Sequence, residues 1–221
     1  MSWPFISFFG DSTVLLPSAA LLFAILLLPS AALLFAILLL RKKTAHLAWQ
    51  WAALFGITGG IVSLSKLAFM GWGIGIRDID FTGFSGHSAL SAAFWPIFLW
   101  LLSARFTSAI RTLFVVAGYG IALIVAYSRL VIHAHSVSEV IAGALLGAAG
   151  SALFLLLQKR AGETAAVHIS WGGVACMVLI PAMLLHTGVK APTQSLLGKV
   201  AVAIGPLEKP FTRADLHRQA W

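Results

Sequence analysis

Ionisable and hydroxyl side chains cluster in one short segment, Ser128-Arg-Leu-Val-Ile-His-Ala-His-Ser-Val-Ser-Glu139, between two long apolar runs. If a helix begins near Ser136, His135 stands at its N-terminus and Glu139 lies one turn further along the same face. A carboxylate at that spacing can accept a hydrogen bond from Nδ1 of His135, which fixes the ring tautomer and leaves Nε2 free to attack. The spacing therefore predicts a histidine nucleophile that is oriented by a glutamate.

A second polar segment, Asp80–His87, precedes the first by about two membrane crossings. Its end, Ser85-Gly86-His87, comes just before an apolar run, where the free N–H groups of a helix start favour an anion. Gly86 allows close approach of the backbone to a ligand, and Arg129 offers a planar donor fork for phosphate oxygens. Together these residues predict a phosphate site that holds a nucleophile and an acid. Ionisable residues set into a membrane bundle are costly, which favours a functional reading.

The composition indicates the scaffold that must position these residues. The chain has 221 residues, of which 60% are hydrophobic and 10% are charged. Several apolar runs of about 20 residues predict an all-α, polytopic membrane bundle of about six transmembrane helices, as a single domain over residues 1–221. The single Cys176 excludes an intrachain disulfide. The net charge of +8 is carried at loop edges, which suits contact with anionic lipid headgroups rather than with nucleic acid.

The apolar runs divide the chain into crossings. The first contains a repeat, in which Pro17–Leu28 recurs unchanged as Pro29–Leu40, and we interpret it as a duplication without function. The tail, residues 187–221, holds only a short apolar patch that cannot cross a bilayer. The remaining predicted crossings are approximately His46–Met70, Ala89–Ser103, Thr112–Tyr127, Val137–Leu157 and Ile169–His186.

Six crossings place both polar segments on one face of the membrane, because the two spans between them form a hairpin. The turns on the opposite face carry seven basic residues and one acid, Glu163. The positive-inside rule then predicts that this opposite face is cytoplasmic and that the polar segments face outward. The tail departs mildly from the rule, since it is basic yet lies on the outward side. The seven basic residues are Arg41, Lys42, Lys43, Arg105, Arg111, Lys159 and Arg160.

The two polar segments resemble motifs of the type 2 phosphatidic acid phosphatase superfamily in order and spacing. Ser128-Arg129-x5-His135-x3-Glu139 is similar to the family motif Ser-Arg-x5-His-x3-Asp, and Phe84-Ser85-Gly86-His87 is similar to Pro-Ser-Gly-His. The remaining motif, Lys-x6-Arg-Pro, is matched by Lys66 alone, because Gly73 stands at the Arg position and Arg77 follows four residues later. The resemblance covers about 66–157.

The resemblance implies a mechanism and a substrate class. His135 would form a phosphohistidine, Glu139 would orient it, and His87 would protonate the leaving oxygen and then activate water. No metal or other cofactor would be required. The substrate would be an amphiphilic phosphate ester, such as a phosphatidate or a polyprenyl diphosphate. The orientation predicted above places the site on the extracytoplasmic face of the membrane, which we interpret as a bacterial inner membrane. The residues that would hold the phosphoryl oxygens are Lys66, Arg77, Ser85, Gly86 and Arg129.

Other interpretations of the same residues stay open. A lipid phosphotransferase would use the same site with an alcohol as acceptor, and a proton-coupled transporter could use paired His and Glu as a relay, although it would place them in mid-span. Lys66 and Arg129 could instead be cations that reach toward the membrane interface. Asp78 and Asp80 could be solvated loop charges or a helix cap. The sequence does not indicate an oligomeric state.

Overall fold

The computed structural model describes residues 45–160 and 193–218. Within these ranges the chain forms helices and no strand beyond one isolated bridge, Ile76 with Phe81. This confirms the predicted all-α class. The helices are α1 (Ala45–Trp72), α2 (Gly86–Leu102), α3 (Ser108–Val131), α4 (Val137–Arg160), α5 (Thr193–Ile204) and α6 (Arg213–Arg218), and a 3₁₀ helix covers Arg77–Ile79.

Three helical segments are long and apolar enough to cross a membrane, namely Trp49–Trp72, Ser108–Val131 and Val137–Arg160. Helix α2 has 17 residues, which corresponds to a length of about 25 Å. Large apolar side chains on these helices point outward, such as Leu64 and Leu145, each 66% exposed, as expected for a lipid-facing surface. The predicted first and last crossings and the repeat lie outside the described residues.

Helices α2, α3 and α4 pack closely because small residues let their backbones approach. A Cβ atom on Gly118 of α3 would lie 2.6 Å from Cα of Pro96 on α2, and one on Gly147 of α4 would overlap the carbonyl group of Ala89 on α2. Helices α2 and α3 form the predicted hairpin, so the first residues of α2 and the last residues of α3 lie at the same end of the bundle. This arrangement brings the two polar segments to the same end of the bundle.

The opposite end of the bundle is filled by an aromatic and aliphatic cluster. The rings of Phe94 and Phe98 stack at a centroid distance of 5.4 Å, and Trp51 meets Phe94 edge to face at 6.3 Å. Leu47 and Phe154 are also buried there. Such burial contributes roughly 1.5–3 kcal/mol for each large apolar side chain. The apolar cluster stabilises the bundle, while the polar end is free to carry a site.

The C-terminal helices return to the polar end. Gly205, at the end of α5, packs against Gly71 at the end of α1, where a Cβ atom would lie 2.6 Å from the Gly71 carbonyl oxygen. The N–H of Phe211 donates to the carbonyl of Met70 at 2.8 Å. Helix α5, with 12 residues, is too short to cross a bilayer, as the sequence predicts.

Helix α6 begins with a capping arrangement. The N–H of Thr212 donates to Oδ2 of Asp215 at 3.0 Å, and the Thr212 hydroxyl bonds the same carboxylate. These hydrogen bonds from Thr212 hold the pKa of Asp215 below its usual range. The cap starts the helix at Arg213, whose side chain then faces the polar end of the bundle.

Candidate active site

The predicted His135–Glu139 pair is formed at the start of α4. Nδ1 of His135 lies 2.7 Å from Oε2 of Glu139, which also accepts the backbone N–H of Ser136 at 3.2 Å. The Ser136 hydroxyl in turn accepts the N–H of Glu139 at 3.4 Å. This reciprocal pairing is a capping box, in which a Ser and a Glu three residues apart satisfy the free N–H groups of a helix start. The helix cap therefore sets the position of the carboxylate that holds His135.

The second oxygen of Glu139 is bonded by a different part of the chain. Oε1 accepts the backbone N–H of Thr82 at 2.9 Å and also the Thr82 hydroxyl. The Glu139 side chain is fully buried, whereas that of His135 is 16% exposed. Because both oxygens are held, the carboxylate has a fixed orientation, with one edge toward the imidazole.

Backbone contacts join the two predicted motifs directly. The N–H of Ser85, at the start of α2, donates to the carbonyl of Glu139 at 3.0 Å. Gly143 makes this approach possible, since a Cβ atom there would lie 2.6 Å from the Ser85 carbonyl oxygen. Ser85 is fully buried and its hydroxyl oxygen accepts a hydrogen bond from Ser88 at 2.9 Å. The N–H of Ser85 thus connects the two motifs. The hydroxyl hydrogen of Ser85 stays available to donate to a ligand.

His87 follows Ser85 on the first turn of α2 and lies among positive charges. The guanidinium of Arg129 and the ammonium of Lys66 act on its ring through their charge. Arg129, on the last turn of α3, is buried, and its Nε donates to the Ser128 hydroxyl at 3.2 Å. A bound phosphate dianion would compensate these charges, so an anion and a proton on His87 are expected to bind together. The first turn of α2 adds N–H groups that have no acceptor within the helix.

A cavity of about 320 Å³ opens at this end of the bundle. Lys66 from α1 and His135 both line it, so the structure brings a cation and the predicted nucleophile to the same cavity. Apolar side chains complete the cavity on the α1 side, which suits a ligand with a charged head and an apolar remainder. The lining residues are Lys66, Phe69, Met70, Thr82, Gly83, Ala134, His135, Pro210, Phe211, Thr212 and Arg213.

Gly86, Arg77 and Asp80 do not line the cavity. Gly86 is the first residue of α2, and a Cβ atom there would press on Val62 of α1 at 3.3 Å. Arg77 lies exposed on the 3₁₀ helix and does not line the cavity, so its role as a phosphate ligand stays a prediction. Asp80, interpreted above as a solvated charge or a cap, contacts Arg213 and His217 of the tail instead.

Arg213 was not predicted from the sequence. Its Nη2 donates to Oε1 of Glu139 at 2.7 Å, and its Nη1 bonds Oδ2 of Asp80. The sequence signal was weak, because Arg213 is one of several basic residues in a tail that is separated from the motifs. The Thr212-x-x-Asp215 pattern does indicate a helix start. It would have placed Arg213 on a short helix without indicating what that helix contacts.

The fold and the site define a helical membrane protein that carries a histidine–carboxylate pair beside a cationic cavity. A family model described as the PAP2 superfamily matches residues 77–163. A relative from Klebsiella pneumoniae, described as an uncharacterized 22.5 kDa protein in cps region, is 69% identical over 221 residues and covers 100% of both chains. No solved structure matches the chain. The chain belongs to the PAP2 superfamily.

This membership confirms the family that the motifs resemble. It supports a phosphatase-type hydrolase that acts on phosphate esters. The matched range contains the Phe84–His87 and Ser128–Glu139 motifs but neither Lys66 nor Arg213. Two cations that line the cavity therefore come from parts of the chain outside the family match.

Proposed function

We propose that the chain is a membrane lipid phosphatase that releases phosphate from an amphiphilic monoester or diphosphate, of the phosphatidate or polyprenyl diphosphate type. The observation that carries the proposal is the 2.7 Å contact between Nδ1 of His135 and Oε2 of Glu139. With Nδ1 engaged, the lone pair of the nucleophile is on Nε2. His135 also lines the cavity together with Lys66, which supports an anionic ligand in front of the nucleophile.

The reaction has two steps. In the first, Nε2 of His135 forms a bond to phosphorus while the bond from phosphorus to the lipid oxygen breaks, and His87 donates a proton to that oxygen. In the second, His87 accepts a proton from water, the water oxygen bonds to phosphorus, and the P–N bond breaks to release phosphate. Glu139 stabilises the positive charge that develops on His135 in both steps. Lys66, Arg129, Ser85 and Gly86 are assigned to the phosphoryl oxygens, and Arg77 stays an additional prediction.

The position of the site favours this chemistry over proton-coupled transport. His135 and Glu139 lie at the start of α4, and His87 lies on the first turn of α2, at one end of the bundle. A proton relay would continue toward the middle of the membrane span. There, helices α2–α4 present mainly apolar and small side chains. A lipid that lies in the outer leaflet could reach the cavity from the side with its tail in the bilayer.

The test is phosphate release by protein purified in detergent, with a panel of phosphatidates and polyprenyl diphosphates, in the presence of a chelator. We expect wild-type protein to release phosphate and to carry an acid-labile phosphoryl group on His135 during turnover, and His135→Ala to do neither. Water labelled with ¹⁸O should appear in the released phosphate. Transfer of phosphate to an added alcohol without labelled product would indicate a phosphotransferase, and inactivity toward the whole panel would contradict the proposal.

A further inference from the structure

The C-terminal segment 206–218 forms one side of the cavity. Pro210, Phe211, Thr212 and Arg213 line it together with Lys66 and His135. The segment is docked by contacts that do not involve Arg213. The ring of Phe211 meets that of Phe69 edge to face at 5.5 Å and covers Gly73, where a Cβ atom would lie 3.4 Å from it.

Arg213 reaches from this docked segment to the carboxylate that holds the nucleophile. Its Nη2 lies 2.7 Å from Oε1 of Glu139, while Nη1 bonds Asp80. The Arg213 side chain is 36% exposed and that of Glu139 is 0% exposed. A planar guanidinium can bond two carboxylates in fixed directions, which a lysine ammonium cannot do. Arg213 and Thr82 together hold one oxygen of Glu139 and leave the other to His135.

We propose that Arg213 is a positioning residue of the reaction site, which acts on His135 through Glu139. The inference deepens the proposed function and rests on it for its consequence in turnover. By bonding Oε1, Arg213 prevents the carboxylate from exchanging its two oxygens. Its positive charge beside Oε1 also offsets part of the negative charge of Glu139, the carboxylate that His135 contacts through Oε2.

A purely anchoring role does not account for this contact. Asp80 already bonds Arg213 and lies 2.9 Å from Nε2 of His217, so it can hold the segment by itself. Contact with a buried carboxylate requires desolvation of the guanidinium, which is costly unless the geometry is good. The hydrogen bond from Arg213 to Glu139 is therefore not needed for docking of the segment. It fixes the orientation of the buried carboxylate instead.

The first test compares Arg213→Ala with Arg218→Ala, which removes the same side chain from an exposed position of the same helix. With a short-chain phosphatidate and with nitrophenyl phosphate in detergent, we expect Arg213→Ala to lower kcat on the order of 10- to 100-fold with little change in KM. Arg218→Ala should stay near wild type. Added guanidinium ion at a non-denaturing concentration should restore part of the activity, and Arg213→Lys should be intermediate. A change in KM with kcat unchanged, or the absence of any rescue by guanidinium ion, would contradict a positioning role for Arg213.

Two further variants separate the role from anchoring. Asp80→Asn removes one ion pair of Arg213 and leaves the bond to Glu139, so we expect it to lose much less activity than Arg213→Ala. The double variant Arg213→Ala with Glu139→Gln should be no less active than Glu139→Gln alone, because both changes act through one carboxylate. Equal losses in Asp80→Asn and Arg213→Ala, or fully additive losses in the double variant, would overturn the inference.

A third readout needs no turnover and so keeps the inference testable if the proposed function fails. Diethyl pyrocarbonate modifies the unprotonated imidazole, and mass spectrometry of the His135 peptide measures the rate against pH. In Arg213→Ala we expect the onset of reactivity to move to higher pH, since the Glu139 charge then acts on His135 without compensation. An unchanged onset relative to Arg218→Ala would overturn the inference. The other charges that face the pair, unaltered in both variants, are Lys66, Asp80, His87 and Arg129.

Discussion

Glu139 connects the parts of the site at the scale of single residues. It caps α4 through Ser136, holds His135 through Oε2, and receives Thr82 and Arg213 on Oε1. Five backbone or side-chain donors, two of them from Thr82, bond this one buried carboxylate, which is the arrangement expected where an ionised group must be kept in place. A change of a single atom in this carboxylate should therefore affect chemistry more than folding.

Glu139→Gln tests this expectation. The amide keeps the shape of the side chain, but its NH₂ group would face Nδ1 of His135 and favour the wrong tautomer. We expect turnover to fall by about three to four orders of magnitude, as for other histidine–carboxylate pairs. Glu139→Asp is the matched control, since it keeps the charge and is the residue of the family motif, and it should retain far more activity. Detergent-based phosphate release measures both, and an unimpaired Gln variant would remove Glu139 from the mechanism.

The two histidines can be separated by the leaving group. A nucleophile is needed for every ester, so His135→Ala should be inactive toward both a lipid phosphate and nitrophenyl phosphate. A general acid matters in proportion to how much the departing oxygen needs a proton. His87→Ala should therefore lose about 10²- to 10⁴-fold on the alkyl ester in the phosphorylation step and much less on the aryl ester. Single-turnover phosphorylation measures this, and equal losses on both esters would reverse the assignment.

At the scale of elements, the site depends on how closely α2 and α4 approach. Gly143 and Gly147 of α4 face Ser85 and Ala89 of α2 without side chains between them. This contact places the start of α2, with His87, against the start of α4. The hydrogen bond from Ser85 to the Glu139 carbonyl exists only at this helix separation.

Gly147→Ala should disturb the site from a distance. Its Cβ would overlap the carbonyl of Ala89, so the helices must shift, at a cost of roughly 1–3 kcal/mol of stability. We expect a lower midpoint of thermal unfolding in detergent together with reduced phosphatase activity. Gly120→Ala on α3 is the control, because a Cβ there meets nothing within 4 Å. If Gly147→Ala proved as stable and active as Gly120→Ala, the close approach would not matter.

The packing of the helices also explains which features could be predicted from the sequence and which could not. His135 and Glu139 are four residues apart, and helix geometry alone fixes their contact. The hairpin of α2 and α3 follows from two apolar runs and a short turn. Arg213 is 74 positions from Glu139, and its approach depends on the docking of α5 and α6, which no local periodicity specifies. The contact of Asp80 with the tail was not predicted for the same reason, since Arg213 is 133 positions away from it.

At the scale of the whole molecule, charge is divided between the two ends of the bundle. The polar end combines cations with Asp80 and Glu139, and the opposite end carries Arg105, Arg111 and Lys159 near the turns of α2, α3 and α4. Arg213 of the tail lies at the polar end, where it is paired with both acids. The positive-inside rule counts Lys and Arg rather than net charge, so Arg213 still counts against the predicted orientation although it is paired.

The proposed orientation, with the site on the extracytoplasmic face, can be measured in intact bacterial cells. Single cysteines at Asp78, near the site, and at Arg105, at the far end, are both exposed positions, and Cys176 is replaced by Ala in this background. We expect an impermeant maleimide to label Asp78→Cys in intact cells and Arg105→Cys only after permeabilisation. Lys209→Cys should behave like Asp78→Cys, because the C-terminal segment is docked at the polar end. Labelling of Arg105→Cys alone in intact cells would invert the orientation, and opposite behaviour of Lys209→Cys and Asp78→Cys would contradict the docking of the tail beside the site.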